Sequence, residues 1–182
     1  AATVKNVDTL TGGDIAILQA TAITGSAADI AAVVSSAGVT HVSGTLQATV
    51  DAGSVDAADL ITIDDNSGRI VLAAAANTMT GTASEIETVI GRTSGIEVAG
   101  TAAATVDDGT ATIAQVKVVD NGSRIVTATV DSGAVAELIH GTTGLPDSTK
   151  NVLAITVSAC LSGGLCFYRR IIFIGMADDF VS

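Results

Sequence analysis

The 182-residue chain has no tryptophan, one proline, two cysteines, and aromatic residues that make up only 2% of the sequence. Cys160 and Cys166 are too few for a disulfide-stapled scaffold and form no zinc motif. The wide core of an ordinary globular enzyme needs large side chains, yet the 48% of hydrophobic residues are largely Ala, Val and Ile. Such a composition favours thin layers in which backbones approach closely.

Basic residues are also scarce, since eight Lys and Arg against 19 Asp and Glu give a net charge of −11. Residues 1–145 carry all of this charge, whereas residues 146–182 hold three acids and three bases. An acidic surface repels nucleic acid and anionic lipid, so we expect neither as a partner. Residues 152–168 form the most apolar stretch, but Ser and Gly interrupt it and Arg169-Arg170 follows. It therefore predicts no membrane span.

What the chain does contain is an internal repeat with a period of about 56 residues. ITGSAADIAAVV (23–34) returns as MTGTASEIETVI (79–90), and ATVD (48–51) returns unchanged at 104–107. Each unit divides again, because a Gly followed by a short stretch that ends in an acidic and an aliphatic residue recurs at spacings of about 22–30 residues. Such periods indicate a solenoid, a propeller or an array. The recurring pairs are Asp29-Ile30, Asp59-Leu60, Glu85-Ile86, Gln115-Val116 (the acid lost) and Glu137-Leu138.

Each subunit of the repeat predicts a short helix, a turn and a strand. Apolar residues in 27–34 and 83–90 fit one helical face, with Thr24 or Ser26, and Thr80 or Thr82, as N-cap candidates and Gly38 as a stop. Small and β-branched residues predict strands over 45–50, 69–75, 101–106 and 124–130. Residues 56–68 and 110–122 fit either a helix or a strand.

A helix-turn-strand subunit cannot bury its apolar face alone. We therefore predict an αβ/β-solenoid: stacked coils of ~22–30 residues with a parallel sheet on one side and helices on the other. An N-terminal entry coil would occupy residues 1–22 and a C-terminal segment residues 146–182. The coils between them are 23–50, 51–76, 77–106, 107–130 and 131–145.

The phrases ITGSAADIAAVV, MTGTASEIETVI and VDNGSRIVTATV resemble the TG-T-AADL repeats of large repetitive proteins. These proteins occur on the surfaces of marine cyanobacteria and other aquatic bacteria, and among the virion proteins of their phages. The resemblance covers roughly residues 9–145. It implies a structural or adhesive role at an exterior surface and brings no catalytic residue. The chain shows no signal peptide, and the missing initiator methionine predicts a processed product or a fragment.

Residues 146–182 differ from the repeats, because they hold Pro146, both cysteines and all four aromatic residues. Residues 151–175 predict two strands around a Ser-Gly-Gly turn, a hairpin that brings Cys160 close to Cys166. The sequence is compatible both with a disulfide between these cysteines and with two reduced thiols. The hairpin would be a cap for the stack or an assembly surface, and it could serve as both. The assembly residues would be Phe167, Tyr168, Arg169, Arg170 and Phe173.

Two acidic corners offer oxygen ligands for Ca²⁺. They are Asp64-Asp65-Asn66 and Asp120-Asn121. The same residue types form ordinary tight turns, which is the interpretation we favour. His41 is predicted to be an exposed strand residue and His140 to lie near a helix end, where an imidazolium suits the dipole; neither has a His or Cys neighbour in sequence.

The sequence contains no nucleotide-binding or nucleophile motif. Acid pairs such as Asp107-Asp108 leave a solenoid carbohydrate-active enzyme as the least favoured class. We expect a non-enzymatic structural protein without a cofactor: a fibre, spike, decoration or surface-layer subunit, extracellular or on a virion, that associates with itself or with other structural subunits. The alternative is an adhesin module that binds calcium, a receptor or a glycan.

Overall fold

The computed structural model describes residues 1–41, 44–120 and 125–130, together with the backbone of residues 152–160 and 166–174. Over this part the chain is an α/β protein with five helices and mainly parallel strands. The helices are α1 (Ala2–Thr11), α2 (Ala27–Ser35), α3 (Ala57–Ser67), α4 (Ala83–Gly91) and α5 (Ile113–Asp120). The strands are β1 (Ile15–Ala16), β2 (Ala22–Gly25), β3 (Val39–Thr40), β4 (Gln47–Val50), β5 (Gly53–Asp56), β6 (Val71–Ala73), β7 (Ala76–Thr82), β8 (Ile96–Val98), β9 (Ala103–Asp108), β10 (Val126–Val130), β11 (Val152–Cys160) and β12 (Cys166–Ile174).

The strands form three sheets, with orders β1-β3, β2-β4-β6-β8 and β12-β11-β10-β9-β7-β5. Every described strand pair is parallel except β11 with β12. Parallel neighbours need a crossover connection, and most of these connections contain a helix. Most strands thus pair with a strand 22–26 residues further along the chain, as Ile15 does with Val39. The prediction of a single parallel sheet is wrong, because the strands form three sheets.

The strand pairing repeats with the period of the sequence. Ile23 lies opposite Ala48, and one period later Met79 lies opposite Ala104. The same holds for the short strands, where β1 pairs with β3 and β6 pairs with β8. One unit therefore contains two successive helices with their strands.

The recurring acid-aliphatic pair occupies the first turn of each helix from α2 to α5. Its acidic or amide member is the third helical residue, and its aliphatic member is the fourth. Ser26 Oγ accepts from the Asp29 amide at 3.2 Å, and Thr82 with Glu85 forms a complete capping box, which satisfies otherwise free amides. Ser26 and Thr82 are thereby confirmed as the N-caps. The aliphatic members are at most 1% exposed: Ile30, Leu60, Ile86 and Val116.

The core lies between helices and strands and consists almost wholly of Ala, Val, Ile and Leu side chains. On β10, Val126, Ala128 and Val130 are at most 2% exposed and alternate with half-buried threonines. This alternation is what a strand with one buried face requires. Successive helices also pack against each other, from α1 with α2 to α4 with α5.

Several local predictions change. Residues 56–68 and 110–122, which were open between helix and strand, contain α3 and α5. The prediction of an acidic corner at residues 64–68 is wrong, since residues 64–67 form the last turn of α3, which Gly68 ends in a left-handed conformation (φ 67°). The entry coil contains an unpredicted helix, α1, and α2 ends at Ser35 before the predicted stop at Gly38.

The predicted C-terminal hairpin is confirmed, as β11 and β12 pair antiparallel along their whole length. None of the helices in the described ranges is both long and apolar enough to cross a membrane.

Candidate functional site: the acidic helix ends

Asp64, Asp65 and Asn66 lie on the last turn of α3, next to the end of α4. The guanidinium of Arg92, the residue that follows α4, reaches back to them: its Nη1 is 2.8 Å from Asp64 Oδ2 and 2.5 Å from Asp65 Oδ1. The hydrogen bonds to Asp65 and Asp64 raise the pKa of Arg92. Asn66 Nδ2 donates instead to the Thr62 carbonyl at 2.7 Å. Each carboxylate thus already has a cationic partner.

The first repeat contains a related contact at the equivalent place. Ser36, the residue that follows α2, donates from Oγ to Asp8 Oδ2 on α1 at 2.8 Å. Asp8 is separated from Asp64 by one repeat period, as Ser36 is from Arg92. We call the contacts Asp8–Ser36 and Asp64–Arg92 the carboxylate braces, because each joins one helix end to the end of the next helix. A separate ion pair, Lys5 with Asp29 at 2.8 Å, also joins α1 to α2.

Asp120 continues the series at the end of α5, one further period after Asp64. It is only 2% exposed, and neither of its carboxylate oxygens has a hydrogen-bond partner among the described residues. Its predicted partner in a cation site, Asn121, lies outside the described residues. The two predicted acidic sites therefore differ: the carboxylates at the end of α3 are ion-paired and partly exposed, whereas Asp120 is buried.

The described residues contain no group of three or more His, Cys, Asp or Glu side chains that could hold a metal ion. Calcium at the acidic helix ends stays a prediction. At α3 a cation would compete with the Arg92 guanidinium for the carboxylates of Asp64 and Asp65, because hard cations bind the same kind of oxygen atom.

A cleft of about 550 Å³ lies beside the Asp64–Arg92 brace, and sequence reasoning missed it. Its polar lining includes Gln47, Asp64, Arg69 and Ser94. The Gln47 amide donates to the Ile70 carbonyl, and Arg69 Nη1 is 3.5 Å from the Thr45 carbonyl. Gln47 and Arg69 therefore connect the segment 45–47 with the segment 69–70 through backbone carbonyls.

His41 is half-buried, and its Nε2 lies 3.3 Å from the Val34 carbonyl, while its Nδ1 is buried with no partner among the described residues. The prediction that His41 is an exposed strand residue is therefore wrong, because His41 packs against the end of α2. His140 lies outside the described residues.

The predicted assembly residues Phe167, Tyr168, Arg169, Arg170 and Phe173 all belong to β12, the outermost strand of the six-stranded sheet. Cys160 and Cys166 are direct partners in the hairpin register. Of these strands the structure describes the backbone, so the disulfide and the side-chain contacts stay predictions.

Comparison of the chain with known protein families, with curated proteins and with solved structures gives no match.

Proposed function

We propose that this chain is a non-enzymatic structural repeat protein whose helices and strands stack as an αβ-solenoid rod, ended by the β11-β12 hairpin. The observation that carries the proposal is the repeated pairing register. Ile23 with Ala48 and Met79 with Ala104 are equivalent pairs in two successive repeat units, the first in the four-stranded sheet and the second in the six-stranded sheet. This recurrence supports a chain that continues by adding the same unit on top of itself.

A rod of this kind works mechanically. Each coil contacts its neighbours through parallel backbone ladders, through helix packing and, at α1–α2 and α3–α4, through the carboxylate braces. The free energy of unfolding of such an array is approximately the sum of the contributions of its coils and of the interfaces between them. Many modest contacts therefore give a stiff spacer, and its length is set by the number of units.

The proposed place of action is an exterior surface, where the protein would be a fibre, spike, decoration or surface-layer subunit of a cell or virion. Support comes from the resemblance of residues 9–145 to the repeats of such proteins. A net charge of −11 also keeps such rods soluble and apart from one another.

Unit duplication tests the proposal. Two extra copies of residues 57–112, inserted between Thr112 and Ile113, should add four coils at the ~4.8 Å spacing of adjacent strands. The maximum dimension from small-angle scattering should then grow by about 20 Å, with an unchanged cross-section.

The matched control inserts a segment of the same length and composition in shuffled order. It should lower the melting temperature or produce an unfolded segment, because the register of the ladder is lost. A true-copy insertion that widens the cross-section or grows in all directions would refute stacking.

A further inference from the structure

The outer edge of β12 is the feature that the rod alone does not explain. Among the described residues β12 pairs only with β11, and most of its residues are apolar or aromatic. A long, apolar edge strand is a template for pairing with another chain, and proteins normally shorten, charge or cover such edges. Arg169 and Arg170 at its middle are the only charged residues in its sequence.

The distribution of charge selects the partner. Residues 1–145 carry the whole net charge of −11, so two repeat bodies repel each other when they approach side by side. The segment 146–182 is neutral. Contact between two copies through this segment keeps the acidic bodies at opposite ends of the particle. A second copy joined tail to tail is therefore the occupant that the charges permit.

Symmetry then restricts the register. A twofold axis normal to the sheet places one residue of the strand opposite its own copy. The symmetric registers that pair most of the strand have Arg169, Arg170 or Ile171 on the axis. The first two bring identical arginines directly opposite each other, and like charges in that position are destabilising. Only the register centred on Ile171 avoids this.

We propose that β12 pairs antiparallel with β12 of a second copy, with Ile171 on the twofold axis. The two six-stranded sheets then form one continuous sheet across the dimer. This inference rests on the structural role proposed above, and it names the partner through which the rod assembles. This pairing also ends the stack, because the outer edge of β12 in each copy is covered by β12 of the other copy.

Disulfide trapping tests the register in a background in which both native cysteines are replaced by serine. Opposite residues of an antiparallel pair have Cα atoms about 4.5–5.5 Å apart, within the range that a disulfide spans. Ile171→Cys should therefore give a covalent dimer on a non-reducing gel, whereas Arg170→Cys should run as a monomer. Efficient trapping at residue 170 and not at 171 would overturn the proposal.

Edge blocking tests the contact itself by analytical ultracentrifugation. The unmodified chain should sediment at twice its 17.9 kDa mass. Successive amides of a strand point to opposite edges, so of Ile171→Pro and Ile172→Pro one removes a ladder bond to β11 and the other removes an outer-edge bond. The variant that keeps the parent melting temperature should be monomeric.

A parent chain that stays monomeric at high micromolar concentration, or a dimer that survives both proline changes, would overturn the β12 contact. Neither result affects the duplication test, because a monomeric rod still lengthens with added units. Conversely, a dimer whose repeats fail to lengthen would refute the rod and leave the β12 contact standing.

Discussion

Asp64 at the end of α3 lies so close to the backbone of Gly95 that a Cβ on residue 95 would collide with Oδ1 and lie 2.8 Å from Oδ2. Gly95 belongs to the turn between α4 and β8, and its carbonyl accepts from the Val71 amide at 2.7 Å. In the first repeat, a Cβ on Gly38 would lie 2.5 Å from Asp8 Oδ1, and the Gly38 carbonyl accepts from Ile15 at 2.7 Å. Each carboxylate brace therefore needs a glycine in the following turn.

Gly95→Ala should lower the free energy of unfolding by about 1–2 kcal/mol, because the added methyl group forces Asp64 away from Arg92. The matched control is Gly91→Ala, at the exposed end of α4, where a Cβ meets nothing within 4 Å. That change should leave stability unchanged or raise it slightly, since Ala is the better helix former. Urea unfolding of both variants measures the difference. Equal effects would show that the brace does not restrict residue 95.

Arg92→Ala should remove the cation that holds Asp64 and Asp65 and cost about 1 kcal/mol of stability, a modest value because the pair is partly solvent-exposed. It also leaves two adjacent carboxylates without this cation. Oxygen ligands of this kind bind Ca²⁺, so millimolar Ca²⁺ should raise the melting temperature of the variant more than that of the parent, and EDTA should reverse the shift.

Arg69→Ala provides the control for that calcium experiment, because Arg69 is exposed and its Nη1 lies near a backbone carbonyl instead of a carboxylate. Its response to Ca²⁺ should equal that of the parent. If Ca²⁺ raises the melting temperature of all three proteins equally, Arg92 does not compete with a cation at the end of α3.

The helix starts could be predicted because their chemistry is local. Ser26 caps the amide of Asp29 in the first turn, and Ile30 follows at a fully buried position, so a short phrase encodes the whole turn. The repeat of that phrase then predicted the parallel neighbours. Gln115 fits the same scheme although the acid is lost, because its amide oxygen accepts from Thr112 as a carboxylate would.

The contacts between successive helices could not be predicted in this way. Arg92 contacts Asp64, which lies 28 residues earlier in the sequence. This contact depends on how α4 is placed against α3, and local sequence does not encode that placement. Tight turns and helix ends both favour Asp, Asn, Ser and Gly. The sequence of residues 64–68 therefore indicated a turn where the structure has the end of α3. Helix α1 has no buried residue, because Val7 and Leu10 are exposed and Val4 is only partly buried against the core. The one available signal was the equal spacing of Asp8, Asp64 and Asp120 in the repeat.

Glu85→Gln should flatten the acid side of the stability curve. Hydrogen bonds from the Thr82 hydroxyl (2.7 Å) and amide (2.9 Å) lower the pKa of Glu85 below its ordinary value of 4.5. A depressed folded-state pKa stabilises the fold above pH 4.5, and this contribution is lost as pH falls through the lower value. Gln keeps an acceptor for both donors, as Gln115 does before α5, but it does not titrate.

At pH 7 the Glu85→Gln variant should therefore be close to the parent, and as the pH falls below 4.5 it should lose less stability than the parent. Glu87→Gln removes a charge from the same helix without touching the cap and serves as the control. Melting temperatures across pH 3–7 measure the effect. Parallel curves for parent and Glu85→Gln would show that the capping box does not contribute to the acid sensitivity.

Asp120→Asn and Asp64→Asn should have opposite effects, although the two residues are equivalent in the repeat. Asp64 is bound by Arg92, so its neutralisation breaks an ion pair and should lower the free energy of unfolding by about 1 kcal/mol. Asp120 is 2% exposed with both oxygens unpartnered among the described residues. A buried charge without a partner is costly, and its removal should raise stability at pH 7. If Asp120→Asn instead destabilises as Asp64→Asn does, the Asp120 carboxylate stabilises the folded chain and the expected difference between the two residues is wrong.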